Sequence, residues 1–167
     1  YLTLKDESIK PYADHAFRFL VDRCLDRKEG GVFWSLDYKG QPLDTTKHTY
    51  NQAFAIYALS SYYDASKDKD ALSKAFELFE LIETKCRDEI GYKEAFDVKF
   101  DEIENDKLSE NGVMADRTMN TLLHVFEAYT ELYRVSGDER VKEKLKEIMD
   151  TAADKIYNPE LKRQEVF

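Results

Sequence analysis

The residue types best suited to proton chemistry fall in one stretch, TMNTLLHVFEAYTELYR, from Thr118 to Arg134. At about 100° per residue a helix puts Asn120, His124, Glu127 and Glu131 on one narrow stripe. Leu122, Val125, Phe126, Tyr129, Leu132 and Tyr133 then cover most of the remaining circumference. A solvated surface helix has one apolar stripe and a broad polar face; here those proportions are inverted, so the polar line is expected to face a wet cavity. An imidazole titrates near neutral pH and can move protons, an amide both donates and accepts, and a carboxylate one turn away can orient the ring. Asn120 and His124, four residues apart, project together and form the strongest candidate pair. The alternative is a core histidine satisfied by Asn120 or Glu127.

The surrounding chain supplies helices of two kinds. The spacing of Ile9, Ala13, Ala16, Phe17, Leu20 and Cys24 predicts an outer helix from about Glu7 to Arg27 with one buried face. The paired glycines and β-prone residues of EGGVFWSLDYKG, Glu29 to Gly40, mark a turn and a hairpin-like loop, and Pro42 delays the next helix. From about Thr46 to Ala65 the apolar residues run almost all the way round, which predicts an inner helix. Lys69 to Cys86 is outer again, with Leu72, Ala75, Phe76, Phe79, Ile82 and Cys86 opposite Glu77, Glu80 and Glu83. A second glycine loop, Asp88 to Asp97, leads into a charged, aperiodic stretch, Lys99 to Arg117, that reads as a long loop at the rim of a site. The Thr118 helix is the second inner one. Gly137-Asp138 turns it into a last amphipathic helix carrying Val141, Leu145, Ile148, Met149, Ala152 and Ile156 on one stripe, and Asn158-Pro159 stops that helix.

These elements repeat. Residues 61–68 overlie residues 131–138, and the same register places Tyr50 over Asn120 and Phe54 over His124, while Gly31 and Gly91 mark equivalent loops. The unit is an outer helix, a glycine loop and an inner helix. Helix pairs of this kind bury their faces against neighbouring units and either stack as a solenoid or close into a ring. The length of 167 residues fits one domain, residues 1–167, burying about 70% of its unfolded surface.

Composition removes several function classes. A net charge of −9 and an isoelectric point near 4.9, with no basic stripe, disfavour nucleic acid as a partner. No apolar run approaches the roughly 20 residues of a membrane helix and no signal peptide is evident, so a cytoplasmic location is expected, although the chain does not begin with Met. Cys24 and Cys86 each extend the buried stripe of their own helix and are expected to be reduced core residues, not a metal or disulfide pair. Of the other two histidines, His15 and His48 are expected at the surface or at loop ends. Tyr50 can donate its hydroxyl to a ligand or simply pack, and Trp34, after a double glycine, reads as loop packing.

Three segments in this order, GGVFWSLDYKGQPLD (Gly30 to Asp44), YNQAFAIYALSSYY (Tyr50 to Tyr63) and MNTLLHVFEAYTELYR (Met119 to Arg134), resemble the N-acylglucosamine 2-epimerase family, most closely its cellobiose (mannobiose) 2-epimerase branch. The resemblance implies an all-α (α/α)6 barrel, or toroid. Five long helices, arranged as outer and inner hairpins with short β-hairpin loops, would form only part of it. It implies epimerisation at C2 of a reducing-end glucose or mannose unit, in cellobiose, lactose or mannobiose, through a cis-enediolate and with no metal or redox cofactor. It makes His124 a catalytic residue and Asn120 and Tyr50 substrate-binding ones. Leu122 stands where the family pattern has a further histidine, and the two general acid/base histidines of the family fall on inner helices beyond Phe167. The chain alone is therefore expected to be inactive, and its uncovered inner-helix surface to favour self-association. Open alternatives are a noncatalytic helical-repeat interaction module, N-acylglucosamine 2-epimerase activity, or a hydrolase on the same scaffold, although no suitable carboxylate pair stands out.

Overall fold

A computed structural model describes residues 1–105 and 114–165. Among them lie five long helices: α1 (Lys10–Phe19), α2 (Thr49–Ser66), α3 (Lys69–Leu81), α4 (Met119–Ser136) and α5 (Glu139–Thr151). Each of α1, α3 and α5 is prolonged by one π-helical turn, at Leu20–Cys24, Ile82–Cys86 and Ala152–Ile156. Short antiparallel pairs join the helices: β1 (Ser35–Leu36) with β2 (Pro42–Asp44), β3 (Lys47–His48) with β4 (Ala95–Phe96), and β5 (Tyr157–Asn158) with β6 (Arg163–Gln164). The expected inner helix begins at Thr49 instead of Thr46 because Lys47 and His48 are taken up by pairing with Phe96 and Ala95. Tyr157 to Gln164 is a third loop hairpin that the sequence did not announce. Residues 106–113, the middle of the stretch expected to form a rim loop, lie outside the described residues.

Local chemistry fixes the helix ends. Asp68 and Asp138 cap α3 and α5 by accepting from the amides of Asp70 and Arg140, and Thr118 caps α4 by accepting from Thr121 N. Lys67 and Gly137, both left-handed, close α2 and α4, and Ser66 and Ser136 bond back to the carbonyls of Tyr62 and Leu132. The overlay of residues 61–68 on 131–138 is thus a repeat of structure, turn for turn.

The core forms where α2 packs along α3 and α4, and α4 along α5. Ala53, Ala71, Ala75 and Ala128 are fully buried, and their small side chains let the helices approach around Ile56, Leu59, Phe79, Val125, Tyr129 and Leu132. Helix α1 lies against α2 with none of its residues fully buried, so its apolar face borders an open hollow toward Leu59 and Tyr62. Gln52, buried on α2, accepts from Val32 N at 2.7 Å and donates to Val32 O at 3.0 Å, holding the first glycine loop against the helix. Gly31 is required there: its φ is +74°, and a Cβ would come within 2.8 Å of Gln52 Oε1 and of the Phe100 ring.

Each glycine loop is also pinned by a cation from the residues before the next inner helix. Lys47, fully buried, donates to Asp26 Oδ2 at 3.0 Å and to Gly30 O at 2.8 Å, beneath the Phe33 ring; Arg117 pairs with Asp88 at the equivalent place. Both cysteines are free thiols, and burial pushes Cys86 up to about 12, which makes it unreactive. None of the helices in the described residues is long and apolar enough to cross a membrane.

Candidate functional site

Helices α2 and α4 lie side by side, and the repeat that relates them sets two equivalent stripes along one cleft. From α2 come Tyr50, Phe54, Tyr57 and Ser61; from α4 come Asn120, His124, Glu127 and Glu131. The cleft measures about 410 Å³, and Phe54, Tyr57, His124, Glu127, Thr130 and Glu131 are among its lining residues. One wall is aromatic and the other polar. Such a surface suits a ligand with apolar faces and polar edges.

His124 is the hinge of the arrangement. Its ring sits edge-on to Tyr50, with centroids 4.9 Å apart and planes at 90°, and lies 4.8 Å from the Phe54 ring. Its Nδ1 is 2.7 Å from Glu127 Oε2. An ionised carboxylate only accepts, so Nδ1 carries the proton and Nε2 is the basic nitrogen, pointing away from Glu127. The His124 side chain is 19% exposed, enough for a ligand to reach. Asn120 is exposed one turn earlier, and the imidazole bonds Glu127, not Asn120. The other end of the cleft is tied by charge. Glu131 accepts from Ser61 Oγ at 3.0 Å and from Arg134, which reaches Asp64 at 2.7 Å. The Arg134 hydrogen bond, helped by Ser61, holds the Glu131 carboxyl below its ordinary value against the opposing effect of burial.

Of the three predicted site residues, His124 lines the cleft and Tyr50 packs against its ring, whereas Asn120 is an exposed residue one turn before His124 that is not among the lining residues. Phe54 and Tyr57 line the cleft as well and were not singled out from the sequence, although the register that placed Phe54 over His124 held the signal. Of the remaining histidines, His15 is exposed on α1. Of the expectation that His48 is a surface or loop-end group, the second half holds, since it directly precedes α2, and the first is overturned: it is 1% exposed, because β3 carries it inward against the Trp34 ring at a centroid distance of 4.4 Å. Trp34 itself is loop packing, as expected. Among the described residues no cluster of His, Cys, Asp and Glu is placed to hold a metal ion.

The family model for N-acylglucosamine 2-epimerase (GlcNAc 2-epimerase) matches residues 3–167. The chain belongs to that family. A cellobiose 2-epimerase of Ruminococcus albus is 50% identical over the whole chain, which spans 43% of that relative's length. Among solved structures, a sugar epimerase from a ruminal bacterium superposes with a TM-score of 0.98 at 50% identity, covering 100% of this chain and 43% of that one. The cellobiose 2-epimerase of Bacillus thermoamylovorans gives a TM-score of 0.95 at 46% identity, covering 100% and 44%. The outer and inner hairpins described above are therefore part of the (α/α) toroid of the N-acylglucosamine 2-epimerase family.

Proposed function

We propose that this chain is part of a sugar 2-epimerase that interconverts the C2 configuration of a reducing-end glucose or mannose unit, with cellobiose, lactose or mannobiose as substrate. The reaction opens the ring, removes the C2 proton beside the aldehyde to give a cis-enediolate, and returns a proton to the opposite face. Acid/base groups are needed on both sides of a planar intermediate. His124 offers one basic nitrogen, Nε2, to take the proton that the C1 hydroxyl gives up on ring opening, while the ring oxygen takes its proton from an acid elsewhere in the longer protein or from water. Asn120 and the Tyr50 hydroxyl grip the sugar, and Phe54 and Tyr57 offer it flat apolar surface. Glu127 acts through His124 by holding its tautomer. The partner histidines belong to further hairpins of the family's longer chains, and these 167 residues alone are inactive.

The observation that carries this reading is His124 itself: an imidazole held by a carboxylate on one nitrogen and packed against the Tyr50–Phe54 ring pair at the lip of a cleft, in a chain matched by the epimerase family over residues 3–167. An interaction module would instead have the Asn120 and His124 stripe packed against protein in the longer chain or its partner. The test is incubation of the longer protein that carries this chain with cellobiose in deuterated water. Deuterium enters C2 and the 2-epimer accumulates; a C2 proton that stays unexchanged removes the assignment.

A further inference from the structure

Outside the cleft, one buried carboxylate touches the start of both inner helices. Glu94 is 1% exposed. Its backbone carbonyl accepts from the amide of Thr49, the first residue of α2, at 3.1 Å, and Thr49 Oγ1 donates to the preceding carbonyl, that of Lys93. Its carboxylate accepts from Thr118 Oγ1, the cap of α4, at 2.9 Å and from Thr121 Oγ1, in the first turn of α4, at 2.7 Å. Its own amide donates to Asp116 O at 2.9 Å.

The equivalent junction of the preceding repeat is built differently. Trp34 donates its amide to Thr46 O, as Glu94 does to Asp116 O, and then rests its indole on His48, the residue equivalent to Thr118. An aromatic contact sets α2 there, and a carboxylate with two hydroxyls sets α4. Burial raises the Glu94 carboxyl above its ordinary value, opposed by the hydroxyls of Thr121 and Thr118 and by the Thr118 amide, so the group is kept where an apolar residue would cost less to bury.

We infer that Glu94 is a positioning residue of the cleft: through Thr118 and Thr121 it fixes the rotation of α4 about its axis, and hence where Asn120 and His124 stand relative to Tyr50. The two threonines bracket Asn120 in sequence and lie about 80° (Thr121) and about 140° (Thr118) round the helix from the middle of the Asn120–His124 stripe, on one side of it, so a pull on them turns the stripe. A rotation of about 10° displaces a side-chain tip roughly 6 Å from the axis by about 1 Å, which is enough to cost a positioned catalytic group up to about 100-fold. For its effect on turnover this inference rests on the proposed epimerase reading; its geometric part does not.

The test compares crystal structures and kinetics of the longer protein carrying Glu94→Ala, Glu94→Gln and Thr121→Val. In Glu94→Ala the Tyr50–His124 ring separation moves from 4.9 Å by about 1 Å and kcat falls at least about tenfold with a smaller change in KM. Glu94→Gln, which keeps an acceptor oxygen, stays within about threefold of wild type. Thr121→Val falls between the two, and it reads the same contact if Glu94→Ala does not fold. Rings that stay in place in Glu94→Ala, or in Thr121→Val where only that variant folds, overturn the inference whatever the activity. Rings that move in a protein whose wild type exchanges no C2 proton sustain the inference and remove the epimerase reading instead.

Discussion

Helices α2 and α4 are copies of one element put to different uses. Much of what holds them in place is duplicated: left-handed closing residues at Lys67 and Gly137, serines bonding back at Ser66 and Ser136, aspartate caps for the following helix at Asp68 and Asp138, and a cation pinning the preceding glycine loop at Lys47 and Arg117. The copies part at their first turns, where Trp34 rests on His48 in one and Glu94 accepts from Thr118 and Thr121 in the other, and along the cleft-facing stripe. Tyr50, Phe54, Tyr57 and Ser61 stand on one helix where Asn120, His124, Glu127 and Glu131 stand on the other. Side chains that position a helix answer to the neighbouring elements, which repeat; those that face the cleft answer to whatever occupies it. Divergence along the whole stripe, against duplicated closing turns and caps, is therefore the signature of a site.

The sharpest way to break the comparison is to give α4 the residue its copy uses. His124→Phe places the Phe54 type at the equivalent position, where it can pack against Tyr50 and Phe54 at little cost in stability. In the longer protein it is expected to lower C2 exchange at least about 100-fold, the scale of a lost acid/base group. Thermal unfolding should stay within a few degrees of wild type. Retention of more than about a third of the activity would show that the polar wall carries no chemistry.

The scaffold half of the comparison is read through the paired cations. Lys47 and Asp26 have side chains 0% and 8% exposed, whereas Arg117 and Asp88 are 30% and 31% exposed. Lys47→Met strands a buried carboxylate and the Gly30 carbonyl and is expected to cost about 3 kcal/mol in urea unfolding; Arg117→Met should cost about 1 kcal/mol. Equal losses would mean that burial does not distinguish the two units. The same pair sets part of the acid limit. Burial pushes the Asp26 carboxyl up, but the amides of Lys28 and Glu29 and the Lys47 ammonium outweigh it and hold the group below its ordinary value. Its contribution is thus complete above the unfolded pKa, about 4, and is lost as pH falls through the folded one. Lys47→Met should remove part of that acid loss.

The division into inner and outer helices was legible because it rests on periodicity. Apolar residues running almost all the way round Thr46 to Ala65 marked an inner helix, and Ala75, Phe79 and Ile82 an outer helix's buried stripe, from spacing alone. What failed depended on partners distant in sequence. Lys47 and His48 read as polar residues entering a helix, yet pairing with Phe96 and Ala95 turns them into a buried strand; nothing in their neighbourhood announces β4. The burial of Lys47 could not be seen without Asp26 and Gly30, nor that of Glu94 without Thr118 and Thr121. The π turns left no trace, since Leu20 to Cys24 keep apolar spacing through them. At the candidate site, Asn120, His124 and Tyr50 stood out by chemistry, while Phe54 and Tyr57 passed as ordinary aromatic filling until the facing wall was known.

The finest difference between the two copies is a single backbone turn. Gly137 closes α4 at φ +67°, with its amide on Tyr133 O at 2.8 Å, and Lys67 closes α2 at φ +60° with its amide on Tyr63 O at 2.7 Å. A left-handed residue with a Cβ costs about 1 kcal/mol, a cost that glycine avoids. A Cβ added at Gly137 meets nothing within 4 Å, so Gly137→Ala measures the backbone term alone and should lose about 1 kcal/mol. Lys67→Gly recovers that strain and gives up the exposed Lys67–Asp64 pair, worth a few tenths of that, so it should gain somewhat less than Gly137→Ala loses. Exchanging the residues, Lys67→Gly with Gly137→Lys, should then leave the unfolding free energy within about 0.5 kcal/mol of wild type. A larger change in the exchanged protein would mean that the two turns, alike in angles and bonds, are not interchangeable parts.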